Sequence, residues 1–115
     1  AWNEPPVRDQ SQLYDIVEEL ITIAADLGVS GAQVALAWLL GRPGVTTLII
    51  GARTDAQLTD NLKAASLTLT AEERARLDKA SQPPLLYPYW HQAATASERL
   101  SEADLSLIGP FLRKS

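Results

Sequence analysis

The sequence predicts a helix-rich chain with a single strand, at about residues 45 to 50. Three observations carry this. Apolar residues recur at helical spacing through the first part of the chain. Ser30, Thr54 and Thr70 are each followed three positions later by Gln or Glu, the sequence mark of a capped helix start. One short run, "VTTLII", is β-branched and uncharged, which suits a strand.

The elements follow in order. "NEPPVRDQ" reads as a linker stiffened by Pro5 and Pro6, so residues 1–10 stand before the first helix. From Ser11 to Leu27, apolar residues fall at Leu13, Ile16, Val17, Leu20, Ala24 and Leu27, on one helical face. Gly28 supplies the stop. Ser30 with Gln33 opens a second helix to about Leu40. Its stretch "VALAWLL" is apolar all round, which predicts burial on most sides. Gly41, Pro43 and Gly44 end it. Residues 45–50 then read as a buried strand. Thr54 with Gln57 opens a third helix to about Ala65, and Thr70 with Glu73 a fourth to about Ala80. After Ser81 the texture changes. "QPPLLYPYWHQ" predicts an ordered but irregular segment, and a short helix follows from Ser101 to Ile108, closed by Gly109 and Pro110. Residues 11–81 thus hold the helices and the strand, and 82–115 a tail.

Composition excludes several functions. A 115-residue chain is one domain or part of one. Its net charge of −4 argues against a nucleic-acid surface, which needs clustered Lys and Arg. There is no cysteine, so no disulfide framework and no thiolate metal site, and a cytoplasmic location fits. No apolar run reaches membrane-spanning length, and "AWNEPPVRDQ" lacks signal-peptide anatomy. The absence of methionine means that the initiator was removed or that residue 1 is not a natural start.

The stretch "LIIGARTDAQLTDN" joins the strand to a helix, and it is the candidate binding site. A helix N-terminus carries unpaired N–H groups and the positive end of the macrodipole, so it attracts anions. Gly51 lets a ligand approach the backbone closely. Arg53 adds a permanent charge with a planar donor fork suited to phosphate. Gln57 and Asn61 project from one helical face, where their amides could read the edge of a base. From the spacing alone the plainer alternative leads: Arg53 as a solvated surface charge, Gln57 and Asn61 as ordinary polar helix residues.

A longer pattern changes the balance. "VSGAQVALAWLLGRPGVTTLIIGARTDAQLTDNLKAASLTLTAEERARLD" resembles the C-terminal part of an aldo-keto reductase. That family's usual phrasing is a helix ending "S-x-x-Q-V-A-L-A-W-L-L", then "P-G-V-T", a last barrel strand and "G-A-R-T-x-x-Q-L-x-x-N". The match runs from about Leu13 to Ala80, and more weakly through "PPLLYPYW". The resemblance implies the α-rich C-terminal portion of a (β/α)8 TIM barrel, with residues 45–50 as the last strand. It implies an NADP-dependent oxidoreductase that reduces aldehydes or ketones, hence a small carbonyl substrate. Gly51, Ala52, Arg53, Gln57, Asp60 and Asn61 occupy the positions that grip the adenosine 2′-phosphate and adenine, where barrel phosphate sites generally lie. Many members read "I-P-K-S" at this point. Here Ile50-Gly51-Ala52-Arg53 has no lysine, so phosphate recognition falls mostly on Arg53.

The resemblance also implies an absence. The family's catalytic Asp, Tyr, Lys and His precede the matched region, so this chain is expected to supply no catalytic residue and no metal ligand, and to be inactive alone. His91 reads as a packed or surface histidine, and Tyr87 and Tyr89 as packing groups. Without its barrel neighbours the apolar run at 45–50 is expected to drive self-association, or pairing with the missing part of the barrel. Two other classes compete with this reading. "IAADLGVSGAQVALAWLL" has a helix-turn-helix cadence, but a DNA reader needs polar side chains on the second helix, and this one presents Ala35, Leu36, Ala37, Trp38, Leu39 and Leu40. A small helical interaction module using "PPLLYPYW" is the remaining alternative.

Overall fold

Each helix begins where a short polar side chain can take up backbone N–H groups that the helix leaves unpaired. The computed structural model describes residues 7, 9–84, 88–91, 100–102, 104, 105 and 109. The Asp9 carboxylate accepts the Gln12 N–H at 3.0 Å and opens α1, Gln10–Leu27. Gly28 closes it with φ 66, the left-handed conformation that a residue without Cβ adopts cheaply. Ser30 caps α2, Gly31–Leu40; Thr54 caps α3, Asp55–Leu62; Thr70 caps α4, Ala71–Ser81. A 3-10 turn, Lys63–Ser66, follows α3. All four helices were legible in the sequence, with α3 giving way to the 3-10 turn at Lys63.

The three expected capping pairs end differently. At Thr70 the box is reciprocal: its hydroxyl accepts the Glu73 N–H at 3.2 Å, and the Glu73 carboxylate accepts the Thr70 N–H at 2.7 Å. At Ser30 and Thr54 the hydroxyl half forms, each at 3.2 Å, but the glutamine side chain goes elsewhere.

The core lies where α1, α2 and α4 meet. Ile23 and Ala24 of α1, Val34 and Ala37 of α2, Leu77 of α4 and Leu69 before it pack together, with Leu20, Val29, Trp38 and Leu67 at the edge. Polar contacts lock the helices around it. Gln12 donates to the carbonyls of Ala80 and Gln82 at 3.3 and 3.0 Å, and Arg76 pairs with Glu19. Asp78 accepts from the Trp38 indole at 2.8 Å and from Arg42 at 2.7 Å, while the Arg42 guanidinium lies 4.8 Å from the Trp38 ring centre. The α2 helix is less enclosed than its apolar circumference suggests. Gln33, Val34 and Ala37 are buried, but Leu39 is exposed, because the neighbouring elements cover only part of its circumference.

The expected strand at 45–50 is corrected by the structure. These residues form no strand, and the described residues contain none. A strand exists only through hydrogen bonds to a neighbour, and no other segment among the described residues supplies one. Ile49 is consequently 103% exposed.

The chain divides into two units, Ala1–Gln82 and Pro83–Ser115. In the second, His91 N–H bonds to the Pro88 carbonyl at 3.0 Å, and the Trp90 and His91 rings meet edge-on with centres 5.5 Å apart. Tyr89 and Trp90 are exposed. The helix expected at Ser101–Ile108 falls partly on residues outside those described, as does Tyr87. Its start is present: Asp104 accepts the Ser101 N–H at 3.0 Å and returns its own N–H to the Ser101 hydroxyl at 3.3 Å.

Candidate functional site

The turn out of residues 45–50 and the first two turns of α3 enclose an open hollow of about 840 Å³. Gly51, Ala52, Arg53, Gln57, Asp60 and Asn61 all line it, with Ala32 and Ala56 as small-residue walls. Thr54 sets this geometry. By accepting the Gln57 N–H it starts α3 immediately after Arg53, so the unpaired N–H groups of the first turn lie beside the arginine.

Gln57 and Asn61 face the hollow from one side of α3, and both also reach back to the incoming loop. The Gln57 carbonyl oxygen accepts the Arg53 N–H at 2.9 Å, and the Asn61 amide donates to the Gly51 carbonyl at 3.5 Å, a long contact. These bonds hold the loop against the helix. The Arg53 side chain is exposed and pairs with no carboxylate among the described residues. An unpaired guanidinium beside a helix N-terminus is a strong anion receptor. A Cβ added at Gly51 would meet nothing within 4 Å, so packing among the described residues does not itself require glycine there.

Asp60 is differently placed. Ser30 donates to one of its oxygens and Gln33 to the other, each at 2.6 Å. The Ser30 hydroxyl, then the Gln33 amide, and more weakly the charge of Lys63, hold the carboxyl below the usual carboxylate range. A depressed folded-state pKa means that these bonds stabilise the fold above the ordinary carboxylate range. That stabilisation is lost as the pH falls through the folded-state value.

In the sequence Ser30 and Gln33 read only as a cap, and their bonds to Asp60 do not show there. The available signal was Gln33 itself, a polar residue near the start of an apolar helix, and it is buried to 5% exposure. No cluster of three or more His, Cys, Asp or Glu fit to hold a metal occurs among the described residues, and none of their single helices is long and apolar enough to cross a membrane.

Comparison with known proteins assigns the class. The sequence profile described as "Aldo/keto reductase family" matches residues 3–82, and the chain belongs to that family. An uncharacterized oxidoreductase of Mycobacterium bovis (strain ATCC BAA-935 / AF2122/97) is 42% identical over 71 residues, 62% of this chain and 22% of that protein. Pyridoxine 4-dehydrogenase of Escherichia coli (strain K12) is 43% identical over 63 residues, covering 55% of this chain and 22% of that protein. A probable voltage-gated potassium channel subunit beta of Oryza sativa subsp. japonica is 46% identical over 48 residues, 42% of this chain and 15% of that protein. The matched regions span 15 to 22% of the length of these relatives.

Proposed function

We propose that this chain is the C-terminal portion of an NADP-dependent aldo-keto reductase, a (β/α)8 barrel that reduces aldehydes and ketones, and that it grips the adenosine half of the cofactor. The observation that carries this reading is a coincidence of sequence and geometry. Six residues singled out by the family pattern line one hollow, and its guanidinium has no carboxylate partner among the described residues.

The residues fit NADP. Arg53, beside the first-turn N–H groups of α3, would hold the 2′-phosphate through a charge-assisted, planar contact. Gly51 and Ala52 would let the adenosine lie close to the backbone, with Gln57 and Asn61 toward the base. Bound there, NADPH would supply a hydride for a carbonyl carbon. This chain's residues bind and orient the far end of the cofactor and move no proton. In the barrel, residues 45–50 would be the last strand, paired on both sides. In the chain alone, the same residues would pair with the missing part of the barrel or with a second copy. A cytoplasmic location accords with the cysteine-free sequence.

Calorimetric titration of the 115-residue chain with adenosine 2′,5′-bisphosphate and with adenosine 5′-monophosphate tests the reading. The bisphosphate is expected to bind more tightly. A hydrogen bond to a charged group contributes about 1.5–3 kcal/mol, so Arg53→Ala should weaken the bisphosphate by about tenfold or more and leave the monophosphate nearly unchanged. Equal losses for both would make Arg53 structural. The purified chain should also show no carbonyl-dependent NADPH oxidation, and turnover surviving removal of contaminants would contradict its assignment as a part without catalytic residues.

A further inference from the structure

A carboxylate that shares a hollow with an anion site is a liability, since like charges repel and the repulsion grows as they approach. Asp60 is such a carboxylate. It lines the same hollow as Arg53. The structure answers this from a different helix. Ser30 donates its hydroxyl to one Asp60 oxygen and Gln33 its amide to the other, both at 2.6 Å. Ser30 is at the same time the cap of α2, so Asp60 is drawn to the positive end of that helix dipole.

Two features show that this arrangement is more than a surface contact. Gln33 is 5% exposed, so its amide has little water to turn to, and a buried unpaired donor is costly. In addition, α3 buries none of its residues. The α3 helix carries Gln57 and Asn61 yet has little apolar anchoring, and the polar clamp through Asp60 joins it to α2. The sequence pattern made Asp60 a cofactor contact and Ser30 with Gln33 a cap. Their geometry gives all three a shared task.

We infer that Ser30 and Gln33 are positioning residues of the anion site: by engaging both oxygens of Asp60 they hold its charge against the α2 N-terminus and away from a bound phosphate. This rests on the reading of the hollow as a phosphate-bearing adenosine site. Ser30 and Gln33 touch no ligand in this scheme. They determine how strongly the hollow favours an anion over a neutral nucleoside.

The test uses the 115-residue chain with adenosine 2′,5′-bisphosphate and uncharged adenosine as probes. Gln33→Met keeps the side-chain volume in a buried position and leaves the Ser30 cap intact. Ser30→Gly removes the other donor at little cost to the cap. Circular dichroism checks that each variant retains its helices, and either variant alone suffices if the other fails to fold. Each is expected to lower bisphosphate affinity at least about threefold while changing adenosine affinity less. Adding Asp60→Asn, which removes the charge, should restore most of the lost bisphosphate affinity. Loss of both probes to the same extent, or no recovery with Asp60→Asn, would overturn the inference and reduce the clamp to a structural tie. If the wild-type chain fails to bind the bisphosphate, the reading of the hollow itself falls, and this inference with it. Wild-type binding without recovery removes the inference alone.

Discussion

Residues 31–40 and residues 45–50 are comparably apolar, yet the folded chain treats them differently. In α2, Val34 is wholly buried and Ala37 is 5% exposed, and both pack against Ile23, Ala24 and Leu77. In the following run Ile49 lies entirely in solvent, and Leu58 and Leu62 on α3 are exposed beyond it. The difference lies in where each segment finds its hydrogen bonds. A helix closes its own backbone and needs only cover for its side chains. A strand needs another chain segment before it exists at all. The first region finds its cover among the described residues, and in the second Ile49 is left without cover beside the hollow.

Truncating matched side chains in the two regions should separate them most clearly. Ile23→Ala is expected to cost about 2–5 kcal/mol, as large-to-small changes do in a closed core. Ile49→Ala should fall within about 0.5 kcal/mol, as for an ordinary surface change. Urea unfolding followed by circular dichroism gives both values. Comparable losses would mean that residues 45–50 are packed in solution.

A smaller contrast concerns the caps. Thr70 takes part in a reciprocal box, whereas the glutamine partner of Thr54 is bonded to Arg53. Thr70→Ala should therefore cost about 0.5–2 kcal/mol and Thr54→Ala less, since losing a helix cap falls in that range. The same unfolding measurement decides. A larger loss at Thr54 would show that its cap is the more important and that the loop at Arg53 contributes stability of its own.

Most of the helical architecture was legible because its signals are local. Ser30, Thr54 and Thr70 mark three starts, and Gly28 marks a stop that needs a left-handed residue. The Asp9 cap went unread, though it moved the start of α1 by only one residue. What could not be read depended on distant parts of the chain. The destination of the Gln33 amide is Asp60, which lies 27 positions later and is reached only once α2 and α3 have packed. The run at 45–50 has the composition of a strand, but composition cannot provide a neighbour. The residues lining the hollow were legible through the family resemblance, whereas helical spacing alone offered only Gln57 and Asn61. The role of Asp60 within the hollow was not legible, since that depends on donors from another helix.

The contrast between a covered core and an exposed apolar run is tested by sedimentation velocity of the purified 115-residue chain across a wide concentration range. Beside the wild type runs Ile49→Lys, which places a charge on the exposed apolar run. If residues 45–62 are completed from outside this sequence, the wild type should self-associate as concentration rises, or sediment with the remainder of the proposed barrel when that is present. Ile49→Lys should weaken the association. A wild-type chain that remains a cooperatively folded 12.5 kDa monomer at the highest concentration would contradict this. It would mean that residues 45–50 need no partner, and that the chain is a self-sufficient helical domain.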